Sequence, residues 1–167
     1  MKKIPLYIIL VLYSVPIFAQ QQSFSAPQEA NVKQEEMDSN CCPDLYSPQK
    51  ATTMEEAMEY GDSVRYLDVS FQTPKLTAIP KEVGLLSSLM CLDVSYNRVA
   101  GIPREILNCT KLVCIDLTGN QYLQDLPNFL NEMPTLKIIR LKDLQFFTSI
   151  KKEILKKKFP NIKLEFD

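Results

Sequence analysis

Between Val64 and Phe159 one apolar pattern restarts five times, at intervals of 25, 23, 24 and 23 residues. A unit that short cannot bury its own apolar side chains, so successive units must stack and share one continuous core. The unit reads L-x-x-L-x-L-x-x-N followed by I-P-x-x-I, with first positions at Val64, Leu89, Leu112, Leu136 and Phe159. Its fourth and sixth positions are Leu67/Val69, Leu92/Val94, Ile115/Leu117, Ile139/Leu141 and Ile162/Leu164, all aliphatic. The ninth position is Gln72, Asn97 and Asn120, where a side-chain amide can satisfy backbone groups left unpaired as each strand turns away. Leu144 breaks that column, so the fourth coil is expected to turn differently.

Behind each strand come Ile79-Pro80-Lys81-Glu82-Val83, Ile102-Pro103-Arg104-Glu105-Ile106 and Leu126-Pro127-Asn128-Phe129-Leu130. Proline fixes φ and lacks a donor, which suits an irregular or 3₁₀ segment and not a regular helix.

In these residues the chain resembles the leucine-rich repeat family, of the 23-residue I-P-x-x-I type found in short exported bacterial proteins. The run Leu89-Met90-Cys91-Leu92-Asp93-Val94-Ser95-Tyr96-Asn97 carries every signature position of the repeat. The resemblance covers the C-terminal two-thirds of the sequence. It implies an α/β solenoid with a curved parallel sheet of about five strands, used mostly for protein recognition. Fold analogy alone assigns no function.

Ahead of the repeats, Met1-Lys2-Lys3-Ile4, an apolar run to Val15 and then Pro16-Ile17-Phe18-Ala19 read as a secretory signal peptide over residues 1–19. The run is shorter than the roughly 20 apolar residues of a membrane span and is interrupted by Pro5 and Ser14, so cleavage and export to the periplasm or outside the cell are expected, with no stable membrane span. Cleavage leaves 17 basic and 20 acidic residues. That balance argues against a dedicated nucleic-acid binder. Residues 20–52 are rich in Gln, Ser, Glu, Pro and Asn, too poor in large aliphatics to offset their ordering entropy, and read as a flexible tether. The repeat domain is then expected over residues 53–167. Thr53-Met54-Glu55-Glu56 forms a capping box for a short helix with Met54, Ala57 and Met58 on one face, ended by Gly61. Residues 149–158 read as a second helix, with Ile150, Ile154 and Leu155 inward and five lysines outward as a solvated face. A solenoid exposes apolar ends, and these two helices are expected to cover them.

The chain has no histidine, which removes the commonest general base and every His-containing zinc motif. Its four glycines form no phosphate-cradling cluster. An enzyme and a cofactor are therefore not expected.

Alternate residues of a strand point the same way, so positions three, five and seven share the face opposite the core. Position three is Tyr66, Cys91, Cys114, Ile138 and Asn161; position five is Asp68, Asp93, Asp116, Arg140 and Lys163; position seven is Ser70, Ser95, Thr118, Lys142 and Glu165. This predicts an acidic, hydroxyl-rich half and a mainly basic half. Stacked aspartates about 4.8 Å apart should repel by roughly 1 kcal/mol each and raise one another's pKa. Hydroxyls, backbone donors and Arg140 offset that cost in one reading. In the other, the acids attract a basic segment of a partner protein, with Tyr66 as an aromatic anchor and Phe71 and Tyr96 extending the rim. The expected contact set is Tyr66, Asp68, Ser70, Cys91, Asp93, Ser95, Cys114, Asp116, Thr118, Arg140 and Lys142.

Cys91 and Cys114 fall on adjacent strands within disulfide range, although parallel Cβ vectors leave their sulfurs poorly aimed. With Asp93 and Asp116 they also outline a possible ligand square, but an open sheet lacks the enclosing shell a metal needs, and none is expected. Cys41, Cys42 and Cys109 bring the count to five, so at least one thiol stays unpaired within the chain. Two functional classes follow: a protein-binding module using the concave face, and a rigid display spacer whose tether or cysteines make the contact.

Overall fold

The computed structural model describes residues 49–167. The described residues all belong to one compact unit. The expected signal peptide, and the tether up to residue 48, lie outside the described residues.

Six parallel strands form one sheet in sequence order: β1 (Lys50–Ala51), β2 (Tyr66–Asp68), β3 (Cys91–Asp93), β4 (Cys114–Asp116), β5 (Ile138–Arg140) and β6 (Lys163–Glu165). Leu67, Leu92, Ile115 and Ile139 are register partners and all fully buried, so each aliphatic residue sits on the next in a single column. Val69, Val94, Leu117 and Leu141 make a second column beside it. Each such side chain, withdrawn from water, stabilises the fold by about 1.5–3 kcal/mol. This layered column confirms the solenoid.

The asparagines do what their position suggests. Asn97 donates through Nδ2 to the carbonyls of Val69 (2.8 Å) and Val94 (3.0 Å) and accepts from the Leu76 N–H (3.1 Å). One coil further, Asn120 donates to Val94 (3.0 Å) and Leu117 (3.0 Å) and accepts from the Val99 N–H (2.9 Å). Each amide therefore ties its coil to the one before. Opposite the sheet, 3₁₀ segments at Lys81–Leu85, Arg104–Asn108 and Asn128–Glu132 follow Pro80, Pro103 and Pro127. They pack so closely that a Cβ on Gly84 would stand 2.5 Å from the Glu105 carbonyl oxygen.

Helix α1 (Met54–Tyr60) is capped by Thr53, whose hydroxyl accepts from the Glu56 N–H (3.1 Å), and it buries Ala57 against the core. Helix α2 (Ser149–Lys158) starts at Thr148 and buries only Leu155.

Three expectations are corrected. β1 lies inside the segment read as tether: Arg65 and Tyr66 donate backbone N–H groups to the Gln49 carbonyl (2.9 and 3.2 Å), and Ala51 is fully buried. Two residues carry no periodicity, so nothing in the sequence separates such a strand from a linker. The second correction concerns α2, where Ile150 and Ile154 are 77% and 55% exposed instead of facing inward. Lysines alternate with the apolar residues there, and Lys158 instead lies along the fold, donating to the Leu126 carbonyl (2.6 Å). Third, β6 pairs two residues later than the repeat count implies: Ile138 meets Lys163, Ile139 meets Leu164 and Arg140 meets Glu165. A shift of two preserves which side chains face the core, so the apolar pattern reads equally well in either register.

Candidate functional site

The face opposite the core, here the ladder face, is built from four rows. The row of position three runs Tyr66, Cys91, Cys114, Ile138 in register, flanked by Lys50 and Lys163. Tyr66, Cys91, Cys114 and Ile138 are only 4, 2, 3 and 2% exposed and form a second apolar cluster, separate from the core. That overturns the expectation of Tyr66 as an exposed anchor. Cys91 and Cys114 are both disulfide-bonded, whereas Cys109 is free and buried. Their sulfurs are consumed in bridges, so the ligand square has no thiolates to offer a metal. Burial pushes the Cys109 thiol up to about 12, and it donates to the Val83 carbonyl (3.2 Å).

In the next row, the aspartates each close the end of their own strand. Asp68, Asp93 and Asp116 accept through Oδ1 from the backbone N–H of Ser70 (3.1 Å), Ser95 (2.8 Å) and Thr118 (3.0 Å), which explains an acid at position five without invoking a partner. Lys50 pairs with Asp68 (2.8 Å) and Arg140 with Asp116 (3.5 Å). Arg140 also reaches Glu165 (3.1 Å), brought beside it by the shifted register. Asp93, between them, has no ion pair among the described residues. Burial raises its pKa, Asp116 and Asp68 add to the rise, and the Ser95 donors only partly oppose it. For Asp68, burial also acts upward, but Lys50 and the Ser70 donors outweigh it and hold the carboxyl below its ordinary value. Crowding was expected to raise both; a cation from an unforeseen strand reverses one. In the row of position seven, Ser95 and Thr118 are buried, Ser70 is half-buried and Lys142 is exposed.

The rim is the exposed part. Position eight is left-handed in four successive coils, at Phe71 (φ 50°), Tyr96 (φ 53°), Gly119 (φ 70°) and Asp143 (φ 53°). Glycine tolerates that conformation; bulky side chains adopt it at a cost of about 1–2 kcal/mol. Phe71 and Tyr96 nevertheless hold it, stacked with ring centroids 4.4 Å apart and an interplanar angle of 18°, at 61% and 39% exposure. Lys75 sits 5.3 Å from the Phe71 ring and donates to the Tyr96 carbonyl (2.6 Å). The Tyr96 hydroxyl donates to Asp143 (3.2 Å), two coils away. The repeat marks position eight, but that two aromatics would be stacked and exposed there depends on the backbone angle.

Among the described residues, no helix is long and apolar enough to cross a membrane, and no group of three or more Cys, Asp or Glu side chains is placed to hold a metal ion.

Sheet, asparagine ladder and 3₁₀ segments together define a leucine-rich repeat solenoid. A solved leucine-rich repeat protein from Leptospira interrogans is similar, at 30% identity and a TM-score of 0.53 over 62% of this chain. The chain spans only 26% of the length of that protein. No family model matches the sequence, and no curated protein matches it. Solenoids of this class serve in general as protein-interaction modules.

Proposed function

We propose that this is an exported protein-binding module that meets its partner with the rim of the ladder face. Phe71 and Tyr96 are the anchors, Asp68, Asp93 and Ser70 line the adjoining sheet edge, and Lys142 lies further along. The observation that carries this reading is the exposed aromatic stack on left-handed backbone: strained, solvent-facing aromatic residues are costly unless something uses them. The acids favour a partner segment that is basic, since Asp93 has no cation of its own among the described residues and would gain one on binding. Export is supported by the disulfide-bonded state of Cys91 and Cys114, a bond that persists in oxidising compartments.

The test is affinity capture with the wild-type chain against a Phe71→Ala/Tyr96→Ala double variant, each checked for an unchanged thermal transition. Capture should weaken at least about tenfold, as expected for two aromatic anchors. Capture that survives the double variant but is lost on deleting residues 20–48 would instead place the contact in the tether, making the solenoid a spacer.

A further inference from the structure

Helix α2 carries large apolar side chains that the core does not take. It buries Leu155, whereas Ile150 and Ile154 are 77 and 55% exposed, and Phe146, in the turn before the helix, is 45% exposed. Four residues apart, the two isoleucines form one stripe along the helix. At about 100° per residue they stand roughly 140° and 100° round the helix from Leu155, so the packing that buries Leu155 does not reach them. By the same geometry Lys157 falls on one side of the stripe and Lys151 and Lys158 on the other.

The charge of the helix is as one-sided as its exposure. It holds five lysines and one glutamate, in a chain whose totals are 19 basic and 20 acidic residues. Lys151 and Lys158 share Asp125 (3.4 and 3.6 Å), and Lys156 pairs with Glu153 (2.9 Å). Lys152 lies over the Phe166 ring (5.4 Å), and Lys157 has no ion pair among the described residues. Five cations therefore meet two carboxylates, which leaves three positive charges beside an exposed apolar stripe.

We propose that α2 docks the solenoid on an anionic phospholipid bilayer, lying in the plane of the interface. Ile150 and Ile154 enter the acyl boundary, and the flanking lysines meet the lipid phosphates. Lysine suits that position, because its alkyl stem lies along the apolar zone while its ammonium stays at headgroup depth. Two features select this ligand. The surplus of positive charge calls for an anionic surface. The isoleucines stand out from the convex outer side of a helix, and a fluid bilayer takes in such a ridge without a shaped partner. No helix among the described residues is long and apolar enough to cross a membrane, so the attachment made by α2 is peripheral. The helix follows β5, whereas Phe71 and Tyr96 belong to the first two coils, so this inference stands whether or not the rim binds a protein.

The chain contains no tryptophan, so Ile154→Trp in the full chain places a single fluorescent reporter on the stripe. It is titrated with vesicles of equal parts phosphatidylglycerol and phosphatidylcholine. The emission should shift to the blue and be quenched by lipids brominated on their acyl chains. Ile150→Trp, a second reporter at a more exposed position, should behave alike. Adding Lys156→Glu/Lys157→Glu should raise the lipid concentration needed at least about tenfold, since each lysine near an anionic surface contributes about fivefold. Pure phosphatidylcholine vesicles should need at least about tenfold more lipid as well. Tyr60→Trp on α1, 46% exposed, should not shift. The proposal is overturned if neither stripe reporter shifts, if phosphatidylcholine serves equally well, or if Tyr60→Trp shifts with them. A shift with soluble polyglutamate and none with vesicles would also overturn it, and would assign the stripe to an acidic protein.

Discussion

The ring of Tyr96 lies against the backbone of Gly119 so closely that a β-carbon there would stand 2.5 Å from its Cδ1. One coil's aromatic thus occupies the space that the next coil's missing side chain leaves. Gly119 is needed twice, for its positive φ of 70° and for this contact. Gly119→Ala should lower stability by about 2–3 kcal/mol, combining backbone strain with displacement of the ring. In the double variant with Tyr96→Ala the clash disappears and only the strain remains. The two effects should therefore be clearly non-additive in urea denaturation.

Asn120 and Gln72 occupy the same position of the repeat but not the same environment. Asn120 is fully buried and holds four neighbouring backbone groups, whereas Gln72 is half-buried with two donated bonds at 3.4 Å. Asn120→Leu leaves those groups unpaired in the core and should cost at least about 3 kcal/mol. Gln72→Leu should change the unfolding free energy by less than about 0.5 kcal/mol.

Asp93 and Asp68 should respond to pH with opposite signs. Asp93 titrates above its ordinary value, so the folded state holds its proton more tightly, and stability is lost as pH rises through that raised value. Asp68 is held below its ordinary value, so its contribution is present above the unfolded pKa and is lost as pH falls through the folded one. Asp93→Asn keeps an acceptor for the Ser95 N–H and removes the charge. Near neutral pH it should stabilise the fold by roughly 1 kcal/mol, and at about pH 3, where Asp93 is already protonated, the gain should vanish. Thermal denaturation across that range measures both limbs, and a gain independent of pH would refute the charge argument.

On α2 the corrected orientation makes neighbouring positions unequal. Leu155 is fully buried, and Leu155→Ala should cost about 2–5 kcal/mol. Ile154→Lys, at a position 55% exposed, should change stability by less than about 0.5 kcal/mol. A large loss from Ile154→Lys would restore the inward face that the residue pattern suggested.

Burial and satisfied hydrogen bonds separate what could be read from the repeat and what could not. Leu92, Ile115, Asn97, Asn120 and the Pro80, Pro103 and Pro127 turns were legible because each recurs with a period that has one physical meaning. A column of aliphatics must stack, an amide at a strand's end must find backbone, and a ring nitrogen cannot extend a helix. The acids at position five were legible as a row but ambiguous in purpose, and Ser70, Ser95 and Thr118 show them closing their own strands.

The sequence by itself determined the solenoid, its core columns and its asparagine ties, since those depend on local spacing repeated in register. Tertiary structure alone decided that Lys50 joins the sheet and neutralises Asp68, that β6 slips by two residues, that Tyr66 and its row are buried, and that Phe71 and Tyr96 stand outside. The physical reason is that strand pairing, a two-residue slip and the stacking of side chains across strands are contacts between segments distant along the chain. They leave the period of hydrophobicity unchanged, so they appear only when the coils are laid side by side.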